Sequence, residues 1–504
     1  MNSYHPSRLS AIYSSSAIRQ LEQAALARGH TDLMERAGIK AAELARRIIG
    51  NGAAILIVAG PGNNGGDALV AARHLKSWWF RVTLVLAGET AKLPFDAAAA
   101  LRSWLDAGGA VLDAIPAHGR WDLIIDGLFG IGLARNLSKR YLEPVRHINR
   151  LALPVLALDV PSGLDANTGQ VFGDAVCATH TLTFIAHKPG LLTAHGPDYC
   201  GKLHLEPLGL DPATLLQPSG RLLDETLFSA LAPRPRNSHK GLQGSVGVLG
   251  GANTMCGAAL LAGRAALKSG AGLVYVAPLA EQAPIVDPMQ PELMLCSPGQ
   301  LLAKEHLRCL VLGPGLGQTG MAVGLLKRAL EGKTPLVLDA DALNLIAATP
   351  ALQTLLQARN RRDILTPHPA EAGRLLGIGA HDMQQDRIAA ATRIAQRYNS
   401  LVVVKGVGSV CATPDGRWFV NPSGNPGLSS AGMGDVLSGI IGALIAQHVA
   451  LKEALLLAVY LHGAAADALV AQGIGPVGMT ASDVIEMVRK LLNLGRLAHV
   501  QTVV

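Results

Sequence analysis

Two glycine-rich loops that each end in an aspartate are the clearest candidates for chemistry in this 504-residue sequence. The first loop, residues 60–67 (GPGNNGGD), follows an apolar run and leads directly into a helical pattern. Glycine lets the backbone turn tightly and approach a ligand, and a helix N-terminus presents free N–H groups and the positive end of its dipole. This order of elements predicts a site for an anionic ligand.

Two further aspartates stand at the ends of apolar runs that are typical of central strands. Asp126 begins the segment DGLFGIG, and Asp159 begins DVPSG. Open parallel sheets bind ligands at the carboxyl ends of their strands. If the three strands are neighbours, Asp67, Asp126 and Asp159 should therefore converge at one edge, although any one of them alone could be a helix cap or a turn residue.

The second loop, residues 425–435 (NPGLSSAGMGD), leads into the apolar helical pattern VLSGIIGALIA. Backbone N–H groups at Gly432–Gly434 would stabilise a transferring phosphoryl group, and Asp435 is placed to take a proton from an attacking hydroxyl. Taken alone, Asp435 could equally cap its helix. Four more loops follow strand patterns: GPGLG (313–317), DADALN (339–344), TPHPAE (366–371) and KGVGS (405–409).

A dehydrogenase is one alternative for the first half of the chain. Gly60, Gly62 and Gly65 satisfy the pattern GxGxxG, and Glu89 follows the next strand pattern, where a ribose-binding acid would lie. Pro61 and the pair Asn63–Asn64 argue against it, because asparagine oxygens suit hard cations or ligand hydroxyls.

The elements that must position these loops alternate along the chain between short apolar runs and Ala-rich helical patterns. This alternation predicts an α/β fold with largely parallel, buried sheets. Around residues 207–237, prolines, glycines and basic residues interrupt the pattern, which then restarts. We therefore expect two domains, residues 1–222 and 223–504.

The composition excludes a disordered or fibrous protein. Hydrophobic residues make up 49% and charged residues 16%, and the formal net charge is +7 without a Lys/Arg block that includes aromatics. A phosphate-bearing small ligand therefore fits this charge at least as well as a nucleic-acid chain does. The six cysteines lack metal or disulfide spacing, and charged residues and histidines interrupt the apolar stretch 439–470. We expect a cytoplasmic protein without a membrane segment, and its Ala- and Leu-rich composition is compatible with a homo-oligomer.

The motifs GPGNNGGD, DGLFGIG, DVPSG and FIAHKPG, in this order, together with residues 34–38 (MERAG), resemble the epimerase domain of the NAD(P)H-hydrate repair enzymes over residues 15–215. The resemblance implies a Rossmann-like domain and a K⁺ ion bound by Asn64, Asp126 and Ser162. It makes Asp159 the acid–base candidate and Lys188 a second one. The implied contacts to hydrated NADH or NADPH are Asn63, Asn64, Gly65, Gly66, Asp67, Gly130, Ile131, Gly132, Leu133, Ala134, Arg135, Asn136 and Asp159.

The motifs GPGLG, DADALN, TPHPAE, KGVGS and AGMGD resemble the ribokinase-like dehydratase domain of the same family over residues 225–495. The resemblance implies that Ala258, Gly317, His368 and Asp435 contact the hydrated cofactor. It also implies that ADP, with Mg²⁺, is bound by Lys405, Gly406, Val407, Gly408, Ser409 and Gly434. Both domains are then expected to be three-layer αβα sandwiches.

The resulting functional expectation is repair of hydrated nicotinamide cofactors. The first domain would interconvert (R)- and (S)-NAD(P)HX, and the second would dehydrate the (S) form at the expense of ADP, giving AMP and phosphate. Besides the dehydrogenase, two alternatives stay open: a ribokinase-like small-molecule kinase, such as a hydroxymethylpyrimidine kinase, and an N-terminal domain that serves only as a binding scaffold.

Overall fold

The computed structural model describes residues 10–359 and 363–501 and divides the chain into two compact units. The first unit spans residues 11–220 and the second begins at residue 221. This division lies close to the boundary predicted after residue 222, inside the Pro- and Gly-rich region.

The first unit contains a six-stranded parallel sheet in the order β3-β2-β4-β5-β6-β7, with helices on both faces. The strands of this sheet are β2 (Ala54–Ala59), β3 (Arg81–Leu86), β4 (Leu123–Gly127), β5 (Val155–Leu158), β6 (His180–Phe184) and β7 (Lys202–Glu206), and the short strand β1 (Ala11–Ile12) lies outside it. Its helices are α1 (Ser15–Ala27), α2 (Leu33–Ile49), α3 (Asn63–Ser77), α4 (Phe95–Asp106), α5 (Lys139–Leu151) and α6 (Gly196–Cys200).

Strand β2 explains why this sheet is covered on both faces, since all six of its residues are buried. Successive side chains point to opposite faces of a strand. Ile55 and Ile57 accordingly pack with α1 to α4, whereas Leu56 and Val58 pack with α5. The three-layer αβα architecture expected for this domain is confirmed.

The chain order of the first sheet places its ligand crevice. From β2 the chain moves to β3 on one side and then to β4 on the other. Such a reversal leaves a crevice at the carboxyl ends of the two diverging strands. The loop GPGNNGGD follows β2, Asp126 lies on β4 and Asp159 follows β5, which is the next strand. The three strands are therefore neighbours, which was the condition for the three aspartates to converge at one edge.

The sheet of the second unit runs in the order β8-β17-β16-β15-β14-β13-β12-β9-β10-β11, and only β16 is antiparallel to its neighbours. The strands are β8 (Gly220–Leu222), β9 (Ser245–Gly250), β10 (Leu273–Pro278), β11 (Met294–Leu295), β12 (Cys309–Leu312), β13 (Leu336–Leu338), β14 (Asp363–Leu365), β15 (Leu401–Val404), β16 (Val410–Ala412) and β17 (Trp418–Val420). The helices are α7 (Cys256–Lys268), α8 (Pro298–Leu302), α9 (Gly320–Glu331), α10 (Ala340–Ala348), α11 (Pro350–Gln357), α12 (Pro369–Leu376), α13 (Ala380–Gln385), α14 (Arg387–Arg397), α15 (Met433–Ala446), α16 (Leu451–Ala471) and α17 (Ala481–Gln501).

This second unit is also a three-layer sandwich. Val246 and Val311 face a core formed with α7, α15, α16 and α17, whereas Leu249 and Leu312 face a core formed with helices that include α9, α10, α12 and α14. From β9 the chain adds β10 on one side of β9 and later β12 on the other, so the strand order reverses between β9 and β12. The loops after these two strands therefore define the second ligand crevice.

The apolar stretch 439–470 is divided between α15 and α16, as its interruptions predicted. Among the described residues, α16 is the one helix long and apolar enough to cross a membrane, but 67% of its apolar window is buried inside the protein. Leu455–Leu457 pack in the core beside α15. Helix α16 thus has the packing of a core helix.

Candidate functional sites

A cavity of about 430 Å³ lies at the carboxyl ends of β2, β4 and β5. Of the predicted substrate residues, Asn63, Asn64, Asp67, Asp159 and the segment Gly130–Gly132 line it, as does Lys188. The rest of the loop after β4, residues 133–136, does not line the cavity. Ala134, Arg135 and Asn136 are exposed outside it.

Gly65 and Gly66 are buried in the first turns of α3 and serve close packing. A Cβ on Gly65 would lie 2.0 Å from the carbonyl oxygen of Gly60, and one on Gly66 would lie 2.5 Å from the Met34 side chain. The segment MERAG, which begins at Met34, thus packs α2 against α3. Glycine is needed here for contact between elements.

Asp159 and Lys188 form a buried ion pair at the floor of the cavity. Lys188 Nζ donates to Asp159 Oδ1 (2.5 Å), Thr183 Oγ1 (2.8 Å) and the carbonyl oxygen of Phe184 (2.7 Å). The other Asp159 oxygen accepts from Ile131 N at 3.2 Å. Asp159 has φ +61°, a left-handed backbone conformation that is uncommon for residues other than glycine.

Asn64, Asp126 and Ser162 form a cluster of oxygen donors beside this pair. The Asp126 carboxylate is fully buried and accepts from Ser162 N (2.9 Å), Ser162 Oγ (2.7 Å) and Leu128 N (3.2 Å). Burial raises the pKa of Asp126 to about 6, although these hydrogen bonds oppose the shift. Within the described part of the chain, no cationic side chain pairs with Asp126.

Asn64 supplies the second sign that this cluster could hold a cation. Its Nδ2 donates to the carbonyl oxygen of Leu158 at 3.1 Å, but its buried Oδ1 has no hydrogen-bond partner among the described residues. An unpartnered buried oxygen is costly unless something occupies the adjacent space. Amide, carboxylate and hydroxyl oxygens suit a hard cation.

Helix α1 contributes a wall of the cavity that the sequence analysis did not predict. Ile18, Arg19 and Glu22 line the cavity from one side of this helix. Burial, followed by the charge of Asp159, raises the pKa of Glu22, and burial raises the pKa of Asp67 well above its usual value. No motif surrounds these α1 residues, so only their helical spacing of i, i+1 and i+4 could have linked them to one surface.

Glu89, the ribose-binding acid of the dehydrogenase alternative, lies outside this cavity. It is exposed and forms an ion pair with Lys92 at 2.8 Å. Glu89 therefore does not supply the dehydrogenase alternative with an acidic partner for a ribose in this cavity.

In the second unit, a buried charge network lies beside the N-terminus of α15. Asp339 accepts from Lys405 Nζ at 2.8 Å and from Ser438 Oγ at 2.8 Å. A Cβ on Gly434 would lie 3.1 Å from Lys405 Nζ, so the network adjoins the loop AGMGD directly. Ser438 follows Asp435 by three positions, a spacing that places both on one side of α15.

Asp435 lies half-buried in the first turn of α15, behind Gly432 at the helix N-cap with φ +87°. Burial and then the charge of Asp339 raise the pKa of Asp435 to about 7, against the opposing charge of Lys405. A carboxyl whose pKa lies near neutrality can accept a proton and release it at physiological pH.

Gly317 and Ala258 flank the second crevice. Gly317 N donates to Asp341 Oδ2 at 2.8 Å, and Gly317 has φ +74°. A Cβ on the nearby Gly315 would lie 3.4 Å from that of Ala258, which shows how closely the loop approaches α7.

His368 also has a structural role. Its Nδ1 accepts from Ala370 N at 3.0 Å, and Glu371 completes a capping box at the start of α12. Burial, with help from Lys405, lowers the pKa of His368, so the ring is neutral near pH 7.

The loop KGVGS (405–409) is exposed at Gly406 and Val407 and is supported from beneath by Arg387. This buried guanidinium donates to the carbonyl oxygens of Val404 (3.3 Å), Lys405 (3.1 Å) and Val407. The Lys405 side chain is directed away from the loop, towards Asp339. Arg387 lies outside every motif, so sequence reasoning missed its contacts to this loop.

Comparisons with known proteins agree with both halves of this description. Residues 246–490 match the family described as NAD(P)H-hydrate dehydratase, and residues 30–190 match the family described as YjeF-related protein N-terminus. A solved ADP/ATP-dependent NAD(P)H-hydrate dehydratase from Bacillus subtilis, co-crystallised with ATP/Mg²⁺, is 31% identical with a TM-score of 0.48, covering 54% of this chain and 96% of that one.

Two relatives extend over nearly the whole chain. The bifunctional NAD(P)H-hydrate repair enzyme of Coxiella burnetii is 40% identical over 499 residues, covering 96% of this chain and 100% of that protein. That of Escherichia coli is 39% identical over 469 residues, covering 92% and 89%. Since both domains and the full length agree, the chain belongs to the family of bifunctional NAD(P)H-hydrate repair enzymes, with an epimerase domain followed by a dehydratase domain.

Proposed function

We propose that the first domain interconverts (R)- and (S)-NAD(P)HX and that the second converts the (S) form to NAD(P)H with ADP as phosphoryl donor, giving AMP and phosphate. The observation that carries the proposal is the location of one acid–base carboxyl in each crevice. Asp159 lies at the floor of the first cavity, and Asp435 lies in the first turn of α15.

In the epimerase domain, Asp159 exchanges a proton with the hydroxyl group on the hydrated ring. Lys188 orients the Asp159 carboxylate by their ion pair and keeps a positive charge beside it. The loops at Asn63–Asp67 and Gly130–Asn136 bind the cofactor, the former at the N-terminus of α3, which favours phosphate. Within the loop after β4, Gly130–Gly132 are nearest to the ring because they line the cavity.

Asn64, Asp126 and Ser162 hold a K⁺ ion in this proposal. The unpartnered Oδ1 of Asn64 and the carboxylate of Asp126, which has no cationic partner among the described residues, fit such an ion. Bound K⁺ would supply positive charge to the anionic substrate and fix the loop after β4. The protein's own part is to keep these three oxygens together and dry.

Replacing Asp126 with asparagine is expected to abolish stabilisation of the protein by K⁺. A ligand at about 100 times its Kd stabilises the native state by ~2.7 kcal/mol, which appears as a higher Tm. Tm is compared in KCl and in LiCl of equal ionic strength, and Asp113→Asn, an exposed position, serves as the matched control. A K⁺-specific rise in Tm that is equal in Asp126→Asn and wild type would show that Asp126 is not a ligand.

In the dehydratase domain, Asp435 accepts the proton of the ring hydroxyl as its oxygen attacks the terminal phosphoryl group of ADP. Hydroxide is a poor leaving group, whereas the phosphate of the ester formed in this step can depart with the C–O electron pair. The neighbouring ring carbon then loses a proton to solvent, and the double bond is restored. Backbone N–H groups of Gly432–Gly434 stabilise the developing negative charge. Ala258, Gly317 and His368 contact the hydrated ring.

Lys405, Gly406, Val407, Gly408, Ser409 and Gly434 bind the nucleotide in this proposal. The support is the exposed backbone of this loop, which Arg387 holds from the protein interior. Mg²⁺ bound with the nucleotide would neutralise its phosphate oxygens. Lys405 also keeps a positive charge between Asp339 and the N-terminus of α15.

The rate of dehydration is expected to rise with pH through about 7, because Asp435 must be ionised to accept a proton. Asp339→Asn removes a negative charge that raises this pKa, so the midpoint should move to lower pH. Lys405→Met removes an opposing positive charge, so the midpoint should move to higher pH. The profiles are measured as kcat at saturating substrate, and midpoints that stay equal in all three proteins would contradict the assignment.

The proposed reaction is tested by its products. Purified (S)-NADHX with ADP, Mg²⁺ and K⁺ should give equal amounts of NADH, AMP and phosphate, measured by chromatography. A stable phosphorylated product without NADH would instead support the small-molecule kinase.

A cytoplasmic location and a homo-oligomeric state complete the proposal. All six cysteines are free thiols in the structure, as a reducing compartment requires. Ile285 and Met289 are 95% and 75% exposed, and burial of these apolar side chains between copies would stabilise an oligomer. Light scattering of the purified protein measures this directly, and a monomeric mass would refute the oligomer.

A further inference from the structure

Glu22 is a carboxyl in the epimerase cavity to which the proposed mechanism gives no role. It projects from α1, whereas Asp159 and Lys188 come from segments after β5 and β6. Its α1 neighbours Ile18 and Arg19 line the same cavity. Within residues 10–359 and 363–501, no hydrogen bond or ion pair engages the Glu22 carboxyl, so it is available to a bound ligand.

Helix α1, which carries Glu22, is anchored to the rest of the domain. Ser15 N donates to Asn167 Oδ1 at 2.8 Å, and Ser14 caps the helix. Ile18 and Leu21 are buried in the core of the domain. Arg19 donates to the carbonyl oxygen of Ile131 at 3.5 Å, which connects α1 to the loop after β4. These contacts position the backbone of α1, and with it Glu22, at the cavity wall.

Inversion at a ring carbon needs proton transfer on both faces of the ring, which a single carboxyl on one side cannot easily provide. The hydroxyl must leave from one face of the ring and return to the other, and each event needs a proton donor or acceptor within hydrogen-bond reach. Asp159 is held by Lys188 and Ile131 and can reach one side of a bound ring. A second carboxyl from a different element can serve the other side.

We propose that Glu22 is a second catalytic acid–base residue of the epimerase, acting on the ring hydroxyl from α1 while Asp159 acts from the sheet edge. This inference rests on the proposed epimerase function. Glu22 gives a proton to the hydroxyl, and the C–O bond breaks with release of water. The ring nitrogen's electron pair forms the C=N bond of an iminium ion.

The second step returns a hydroxyl group to the ring carbon. A water molecule adds to the opposite face of the same carbon, the C=N electron pair returns to nitrogen, and Asp159 takes the proton that the water loses. In the reverse direction the two carboxyls exchange roles, with Asp159 as acid and Glu22 as base. After each turnover the proton passes from Asp159 back to Glu22 through solvent, so the net reaction consumes nothing, as an epimerisation requires.

The surroundings of Glu22 strengthen its hold on a proton. Burial and then the negative charge of Asp159 raise its pKa, while Lys188 and Arg19 oppose this. Asp67 on α3 also interacts electrostatically with Glu22. Since an acid must hold its proton to donate it, the epimerisation rate should fall as the pH rises through this raised pKa, which gives an alkaline fall in kcat.

The test measures exchange between separated (R)- and (S)-NADPHX in the full-length protein without ADP, after subtraction of the protein-free rate. Glu22→Gln should lower kcat by about 100-fold with KM changed less than about threefold. It should also remove the alkaline fall in kcat, and Glu22→Asp should restore part of the rate. Glu143→Gln, on the exposed surface of α5, is the matched control and should match wild type.

The outcomes separate this inference from the proposed function. If wild type exchanges the epimers and Glu22→Gln does so equally well, or keeps the alkaline fall in kcat, Glu22 is not an acid–base residue and the proton belongs to another group. If wild type itself does not exchange the epimers, the proposed epimerase function fails. An unchanged KM in Glu22→Gln establishes that its cavity is folded.

Discussion

Asp435→Asn should lower the rate of ADP-dependent dehydration by about 10²- to 10⁴-fold, which is the usual contribution of a general base. Asparagine keeps the shape of the side chain and its place in the first turn of α15, but it cannot accept a proton. The burial that raises the pKa of Asp435 to about 7 makes its carboxyl suited to this task. The measurement is NADH formation from purified (S)-NADHX.

Two controls define this result. Asp382→Asn, an exposed position on α13, should dehydrate at the wild-type rate. Epimerisation by Asp435→Asn should be unchanged, because Asp435 belongs to the second unit and Asp159 to the first. Dehydration within about threefold of wild type in Asp435→Asn would remove Asp435 from the mechanism.

Asp159→Asn should lower epimerisation by about 10²- to 10⁴-fold, because it removes the carboxyl that exchanges the proton. The substitution also leaves Lys188, whose side chain is 1% exposed, without its anionic partner. Breaking a buried pair typically costs about 3–5 kcal/mol, so the Tm of the variant should fall as well. Epimer exchange and thermal unfolding are measured on the same preparation.

A second variant separates loss of chemistry from loss of stability. Asp159→Asn combined with Lys188→Met removes both charges and should recover much of the Tm without recovering epimerisation. Asp113→Asn is the exposed control, and dehydration of pure (S)-NADHX should stay at the wild-type level throughout. Normal epimerisation in Asp159→Asn would support the alternative in which the first domain is a scaffold and the exchange of epimers arises elsewhere.

The central strands were predictable because burial on both faces demands continuous apolar runs. Ala54–Ala59 is such a run, and the structure has it as a fully buried strand. Two other strands were not predictable in this way: Lys202–Glu206, a partly exposed strand whose polar residues hide the pattern, and Trp418–Val420, which is only three residues long. These strands are defined by their partners in the sheet, which a local pattern does not contain.

The site was predictable where a motif carries it. Asp126 and Asp159 stand at strand ends, and neighbouring strands bring them together. The Asp159–Lys188 pair and the Glu22 wall depend on tertiary contacts between distant segments, for which one sequence contains no signal. The same holds for Lys405, whose expected place in a nucleotide loop gave no indication of its ion pair with Asp339.

The family membership decides between the broad alternatives. The kinase alternative rested on the loop AGMGD alone, and the dehydrogenase on GxGxxG and Glu89. A chain similar over 96% of its length to a bifunctional NAD(P)H-hydrate repair enzyme contains both domains in one order. The two glycine loops thus belong to one repair enzyme, with a separate crevice in each unit.

The most direct test of this account follows NADH absorbance while wild-type protein acts on a mixture of both NADHX epimers with ADP, Mg²⁺ and K⁺. We predict complete, ADP-dependent recovery of NADH, because the epimerase converts the (R) form into the (S) form that the dehydratase consumes. Asp159→Asn should stop at the (S) fraction, apart from spontaneous exchange. Wild-type recovery that also stops at the (S) fraction, or proceeds without ADP, would contradict the account.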